Sequence, residues 1–523
     1  MKKIIISSIA VSALFFTTSC ETDFDTDVQD IAVTNGDADF TKFISLGNSL
    51  TSGYRDNALY IDGQNESYPN IIAGQMKLAG GGSFIQPMMA DNNGGLLLGT
   101  LPIQATRLYI KSFTNGAPNI ENVAGTPTTN ILNKISGTIN NMGVPGAKSF
   151  HLIAPNYGSA AGVALGTANP YFVRFASTAT TSVLADAMAQ KPTFYSLWIG
   201  NNDVLSYATN GGTNSTIVGG VTTYTSASVH TTNVDPSTYK SNDISSPTLV
   251  AGAIKGVLDG LKSVGSTKGV IANIPYVTSI PYFTTVPYNP LSPTALGSNL
   301  STLNTNLYGP LKQALTAFGA GDRINLLSAT AANPVLIKDE SLTNLSAQLT
   351  AALTPALGLA TATAFGQIYG QARQTTVEDY ILLTTKGVIG TTAVGVPSAI
   401  NIYGISYPLQ NQHVLTKTEA GKVKTAVDSY NASIKSLADT YGLAFVDANK
   451  KMVELNAQSG ISYDGVKYSA KFVTGGTFSL DGVHLTGRGY AIVANEFIKS
   501  INTTYKSTLP QVNANKYSGV KFP

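Results

Sequence analysis

The sequence predicts an α/β layered fold built on a parallel sheet. Short apolar runs rich in aromatic and β-branched residues read as strands, and segments of helical period lie between them. Several of the strands end in glycine-containing polar turns. The first run, 40–46, ends in Gly47, Asn48 and Ser49. Ser67 then caps a helix with Pro69 in its first turn and Ile71, Ile72 and Met76 facing inward. Residues 78–125 are rich in Gly and Asn without a sustained period, which predicts an insertion. A weaker second strand, 135–142, leads into Gly143, Val144, Pro145 and Gly146. The run 193–199 is the strongest strand and stops at Gly200.

Thr, Ser, Gly and Asn dominate 207–245, a long surface insertion. Ser246 and Pro247 open the next helix, followed by Val250, Ile254, Val257, Leu258 and Leu261 at helical spacing. Residues 269–274 give a fourth strand. Prolines at 275, 281, 287 and 290 follow, interleaved with Tyr276, Tyr282, Phe283 and Tyr288; that density predicts an extended loop and no helix. Thr416 and Glu419 form a capping box ahead of Val423, Val427, Tyr430, Ile434 and Leu437, and Gly442 closes the helix. A fifth strand, 443–446, and a helix from Thr486 carrying Tyr490, Val493, Phe497 and Ile501 complete the pattern. No internal repeat is present.

At 523 residues the chain can bury a large core, and 43 % hydrophobic content excludes disorder throughout. Lys plus Arg number 33 against 30 acids, a formal charge of +3 that gives no footprint for nucleic acid. Charged residues are only 12 %, so the surface is neutral and hydroxyl-rich. One Cys excludes a disulfide framework and a Cys-based zinc site, and four His leave little room for a multi-histidine metal site. No metal or cofactor is expected.

Lys2 and Lys3 precede an apolar run, 4–16, too short to span a bilayer and suited to a signal peptide. It runs into Thr17, Thr18, Ser19 and Cys20, which resembles a bacterial lipobox, although Thr17 stands where Leu is usual. On that reading 1–19 is removed and Cys20 carries the lipid anchor. An ordinary secretory signal with a bystander Cys is the alternative. Residues 21–39 hold seven acids and no base, a solvated tether. Acids directly after the Cys resemble the surface-export signal of Bacteroidetes lipoproteins. That implies the outer face of the outer membrane, with the periplasmic face as the alternative.

Parallel strands deliver functional groups at their carboxyl ends. Ser49 follows the first strand in a glycine-flanked turn. His484 lies three residues after Asp481, a spacing that folds the acid onto the imidazole. His151, His230 and His413 have no acid three or four residues away. Asn202, in Gly200-Asn201-Asn202-Asp203, follows the strongest strand. Gly146 offers a backbone N–H without an obstructing Cβ. Each is ambiguous alone, a turn or a structural histidine; the four in this order are not.

Together they resemble the SGNH (GDSL) hydrolases, whose four blocks supply Ser, Gly, Asn and His. The resemblance implies a three-layer α/β/α, flavodoxin-like fold over 40–510, with insertions near 78–130, 207–245 and 290–410 and a tail at 511–523. It implies that Ser49 is the nucleophile, His484 the general base and Asp481 the residue that orients it. The oxyanion hole would be the N–H groups of Ser49 and Gly146 and the side chain of Asn202, with Gly143 competing for the glycine role. Asn48 departs from the family, which usually has Asp there. The implied activity is carboxylic ester hydrolysis through a Ser49 acyl-enzyme, on a lipid or acylated glycan. A carbohydrate acetylesterase and a non-catalytic glycan-binding lipoprotein are the alternatives.

Between Glu340 and Arg373 lie 32 residues without a charge. They predict either a pair of buried helices or an apolar lid or acyl groove. The proline and aromatic loop, 275–290, is a second candidate wall for an acyl pocket or a glycan platform.

Overall fold

The computed structural model describes residues 32–523; Cys20, the signal-like run and most of the acidic segment lie outside the described residues. Five strands form one parallel sheet: β1 (Phe43–Gly47), β2 (Asn141–Gly143), β3 (Phe194–Trp198), β4 (Lys268–Ala272) and β5 (Ala444–Val446). Their order is β5-β4-β3-β1-β2. β1 and β3 are buried at every position, which is why both read as continuous apolar runs rather than alternating ones. Their two internal serines, Ser45 and Ser196, satisfy each other at 2.6 Å. The second strand is shorter than 135–142 predicts: only Asn141–Gly143 pairs with β1, and the Asn140 side chain spends its donor on the Phe43 carbonyl.

The helices that bear on the site are α1 (Ser49–Ser52), α2 (Tyr68–Leu78), α3 (Asn202–Thr209), α4 (Pro247–Ser263), α5 (Lys417–Tyr441), α6 (Ala448–Asn456) and α7 (Gly487–Tyr505). α4 packs with α5 and α2 with α7, and α5 and α7 both reach the sheet. The capping box of α5 is present, with Thr416 N–H donating to Glu419 Oε2 at 2.8 Å, and Gly442 ends the helix in the left-handed conformation. Val423, Val427, Tyr430 and Ile434 are buried on one face, as the four-and-three spacing requires.

The insertions have structure of their own. Residues 78–130 contain two hairpins, Leu96–Leu98 with Leu101–Gln104 and Leu108–Thr114 with Ala117–Asn122. The Thr-rich stretch forms a third, Thr213–Val218 with Val221–Ser226, turned by Gly219 and Gly220 at positive φ. The proline-rich loop is not wholly extended. Pro281–Thr284 makes one helical turn, because a proline in the first helical position loses no hydrogen bond. The charge-free stretch folds as two helices, Ser346–Leu357 and Leu359–Tyr369, packed on each other but only partly buried. They join Tyr308, Leu311, Val335 and Leu336 in a second core, separate from the one under the sheet. Beside it Arg373 binds Asp339 and Asp379, each at 2.7 Å.

Both ends of the described chain are fastened. Ala38 is buried in the main core and Asp37 N–H donates to the Tyr505 carbonyl, so the solvated tether stops short of 39. The segment 511–523 is held by Asn495 on Val512 and by Glu66 on Ser518. Among the described residues no helix is long and apolar enough to cross a membrane.

Candidate active site

Strand order reverses between β1 and β3, so the turns leaving their carboxyl ends diverge and leave a crevice there. Ser49 comes from the first turn and Asn201 and Asn202 from the second. Gly47 ends β1 because a Cβ there would lie 2.5 Å from the Trp198 carbonyl oxygen of β3. Asn48 Oδ1 caps α1 by accepting from Leu50 N–H at 3.1 Å, while its amide donates to Asn201 Oδ1 at 3.2 Å. Asn48 is 1 % exposed. A carboxylate there could not donate and would carry a desolvation cost, and Asn supplies the cap without either.

Ser49 Oγ lies 2.8 Å from His484 Nε2, and His484 Nδ1 lies 2.9 Å from Asp481 Oδ2. The predicted fold-back of Asp481 is present, with Oδ1 accepting from the N–H groups of Val483 and His484, each at 2.8 Å. Ser479 Oγ and Asn57 N–H complete its partners at 3.1 and 2.9 Å. Burial alone would raise the pKa of Asp481. The His484 ring and the surrounding N–H donors outweigh it and hold the carboxyl far below its ordinary range. An ionised Asp481 only accepts, so Nδ1 donates to it, and in the neutral ring Nε2 is then the nitrogen left to accept from the Ser49 hydroxyl.

The two candidate glycines separate cleanly. A Cβ at Gly143 would lie 2.4 Å from Ser52 N, so that glycine is needed for β2 to pack on α1. Gly146 has φ +82°, is exposed, and a Cβ there would meet nothing nearer than 4.0 Å. It is required by backbone conformation and leaves its N–H accessible. The Asn202 amide donates to the Ala147 carbonyl at 3.0 Å, joining the third block to the residue after Gly146 and keeping one N–H in hand. Asn202, Ser49 and His484 line one apolar cavity; Gly146 does not.

Several contributors went unread in the sequence. The Tyr54 ring packs on the His484 imidazole with centroids 4.6 Å apart, and its hydroxyl donates to the Asn57 carbonyl at 2.7 Å. Asp56 and Asn57 both have positive φ, a turn that aims Asn57 N–H at Asp481; an Asp-Asn pair is a readable signal for that conformation. Asp203 is fully buried and accepts from Ser149 N–H and Oγ at 2.8 and 3.0 Å, anchoring the segment that follows Gly146. Burial pushes its pKa up, opposed by Lys148 and the Ser149 donors.

The other histidines are engaged elsewhere. His151 Nδ1 accepts from Lys148 N–H at 3.0 Å, and burial pushes its pKa down to about 3. His230 pairs with Asp243 at 3.0 Å and stacks on Tyr239. Among the described residues no group of three His, Cys, Asp or Glu is placed to hold a metal ion. Comparison of the chain with family models, curated proteins and solved structures gave no match.

Proposed function

We propose that the chain is a serine ester hydrolase of SGNH type. The carrying observation is the continuous line of contacts from Asp481 through His484 to the Ser49 hydroxyl, with 2.9 and 2.8 Å steps. That line has the three members acyl transfer needs, a nucleophile, a base and an acid that orients the base, each within hydrogen-bond reach of the next. The finer fold reading, a flavodoxin-like sheet as the middle of three layers, is supported by the strand order and by the α4–α5 and α2–α7 helix pairs.

In the first step Ser49 Oγ bonds to the ester carbonyl carbon while its proton passes to His484 Nε2. The carbonyl oxygen becomes an oxyanion, which accepts from Ser49 N–H, Gly146 N–H and the Asn202 amide. Losing one such donor typically costs ~10²–10³ in rate. The carbon–oxygen bond to the alcohol then breaks, and the alcohol leaves with the proton from His484. Water repeats the cycle on the Ser49 ester, giving the carboxylic acid and the free serine. Asp481 stays ionised and holds the ring through both halves. Anchoring at the outer membrane through Cys20 belongs to the same proposal and is supported by the sequence before residue 39 alone.

The test is hydrolysis of p-nitrophenyl acetate by the full-length protein beside Ser49→Ala, with fluorophosphonate labelling of both. Turnover and labelling that vanish together in the variant are expected. A folded wild type that neither turns over nor labels would leave the glycan-binding reading in its place.

A further inference from the structure

The cavity that opens beside Ser49 and His484 has a volume of about 120 Å³. One wall is α7, whose Gly489, Ile492 and Glu496 all face it. Seven residues of helix rise about 10 Å, so the lining runs two turns away from the serine. Val446 at the end of β5 and Met452 and Leu455 of α6 form the opposite wall. The proline-rich segment adds Pro275, Val277 and Ile280, while its aromatic side chains turn elsewhere: Tyr276 binds Asp428 and Phe283 is buried in the core. The charge-free helices of 346–369 do not line the cavity.

Its lining is mostly apolar, and its polar side chains gather into two groups. At one end stand Ser49, His484 and the asparagines. At the other, Lys451 Nζ binds Glu496 Oε1 at 3.1 Å and Glu454 Oε2 at 2.8 Å. Between them the Thr477 hydroxyl is already donated to the Ser469 carbonyl at 2.7 Å, and Trp198 Nε1 to the Asn273 carbonyl at 3.0 Å. A sugar placed here would lose its hydroxyl partners, and a phosphate would find a lysine already neutralised by two carboxylates. An alkyl chain loses nothing and gains by leaving water.

We infer that this cavity takes the acyl chain of the ester, straight and of medium length, with the Lys451–Glu496 pair as its end stop. The assignment rests on the esterase reading and specifies its substrate class. A cavity somewhat smaller than the ~150 Å³ that admits benzene holds roughly four to six carbons. Acetylated glycans would leave it empty, and long-chain lipids would have to displace the ion pair.

The experiment is kcat/KM for p-nitrophenyl acetate, butanoate, hexanoate, octanoate and dodecanoate with the full-length protein, Ser49→Ala being the blank. Each methylene from acetate to hexanoate should raise kcat/KM about fourfold, on the order of 10² in all, with a fall beyond octanoate. Ile492→Trp, with folding checked by melting temperature and near-ultraviolet dichroism, should bring the hexanoate-to-acetate ratio down toward one. Glu496→Ala, which opens the partly exposed end, should move the optimum to dodecanoate. Ser49-dependent turnover that in the wild type is flat, falls from acetate onward, or peaks at dodecanoate would overturn the cavity assignment and leave the esterase standing. No Ser49-dependent turnover on any ester would overturn both.

Discussion

Among the described residues two His–Asp pairs stand, and one of them adjoins a serine hydroxyl. His484 meets Asp481 at 2.9 Å and His230 meets Asp243 at 3.0 Å, and both carboxylates are buried. Both are held below their ordinary pKa. Burial opposes this in each case, and the donors around them prevail, including the His484 ring and N–H for Asp481 and the N–H groups of Lys240 and Ser228 for Asp243. The difference lies beyond the pair. The far nitrogen of His484 reaches Ser49 at the mouth of an apolar cavity, whereas the His230 ring lies flat on Tyr239 with centroids 3.8 Å apart. Asp243 also accepts from Asn214, and its carbonyl takes the Lys148 ammonium at 2.9 Å. That pair fastens the Thr-rich insertion to the segment after Gly146. A histidine on a carboxylate is thus a local stabilising device, and its chemistry depends on what the second nitrogen faces.

Substitutions can break this contrast at graded strengths. Ser49→Ala should lower kcat on acetate or hexanoate esters by about 10⁶, with an unchanged melting temperature. Asp481→Asn should cost ~10⁴ in kcat by stabilising the wrong imidazole tautomer, and the loss should ease as pH rises; Asp243→Asn should leave kcat within a few-fold. His230→Ala should likewise spare turnover while lowering stability by about 1–2 kcal/mol in chemical denaturation, because Asp243 loses one partner.

Acid sharpens the comparison from the other side. A carboxyl whose folded pKa is depressed stabilises the fold above its unfolded value, near 4, and that stability is lost as pH falls toward the folded value. Both pairs obey this sign. Unfolding free energy should therefore decline below about pH 4, and the decline should be shallower in Asp481→Asn and in Asp243→Asn than in the wild type. A slope unchanged in both variants would mean that other carboxylates set acid stability.

The legibility of the two pairs differed for a physical reason. Asp481 and His484 are three apart, and a single turn brings them together, so spacing reveals the pair. Asp243 is thirteen residues from His230, across a loop with no periodic signal, and the pairing follows from the Val229–Ile244 bridge beside it. Spacing rules report only contacts made within one turn. The same limit hid Asn57 as a partner of Asp481, and Asp203 as the anchor of Ser149. Low charge is likewise an ambiguous signal: the helices of 346–369 set only part of their apolar surface against the second core and leave Leu357 and Leu359 exposed.

The sequence by itself placed the five strands, the second drawn too long, and the Thr416 and Thr486 caps, whereas the Ser67 and Ser246 hydroxyls bond elsewhere and cap nothing. It also pointed to Ser49, Asn202, Asp481 and His484 as candidates, because each of these signals is encoded in neighbours within a turn or a short run. Only the tertiary structure showed that Gly143 must lack a Cβ to pack on α1, whereas Gly146 is held to glycine by its positive φ. It alone decided where the cavity lies. Its walls come from the proline-rich segment, from β5 with the adjoining α6, and from α7, three pieces separated along the chain that meet only when the sheet is assembled.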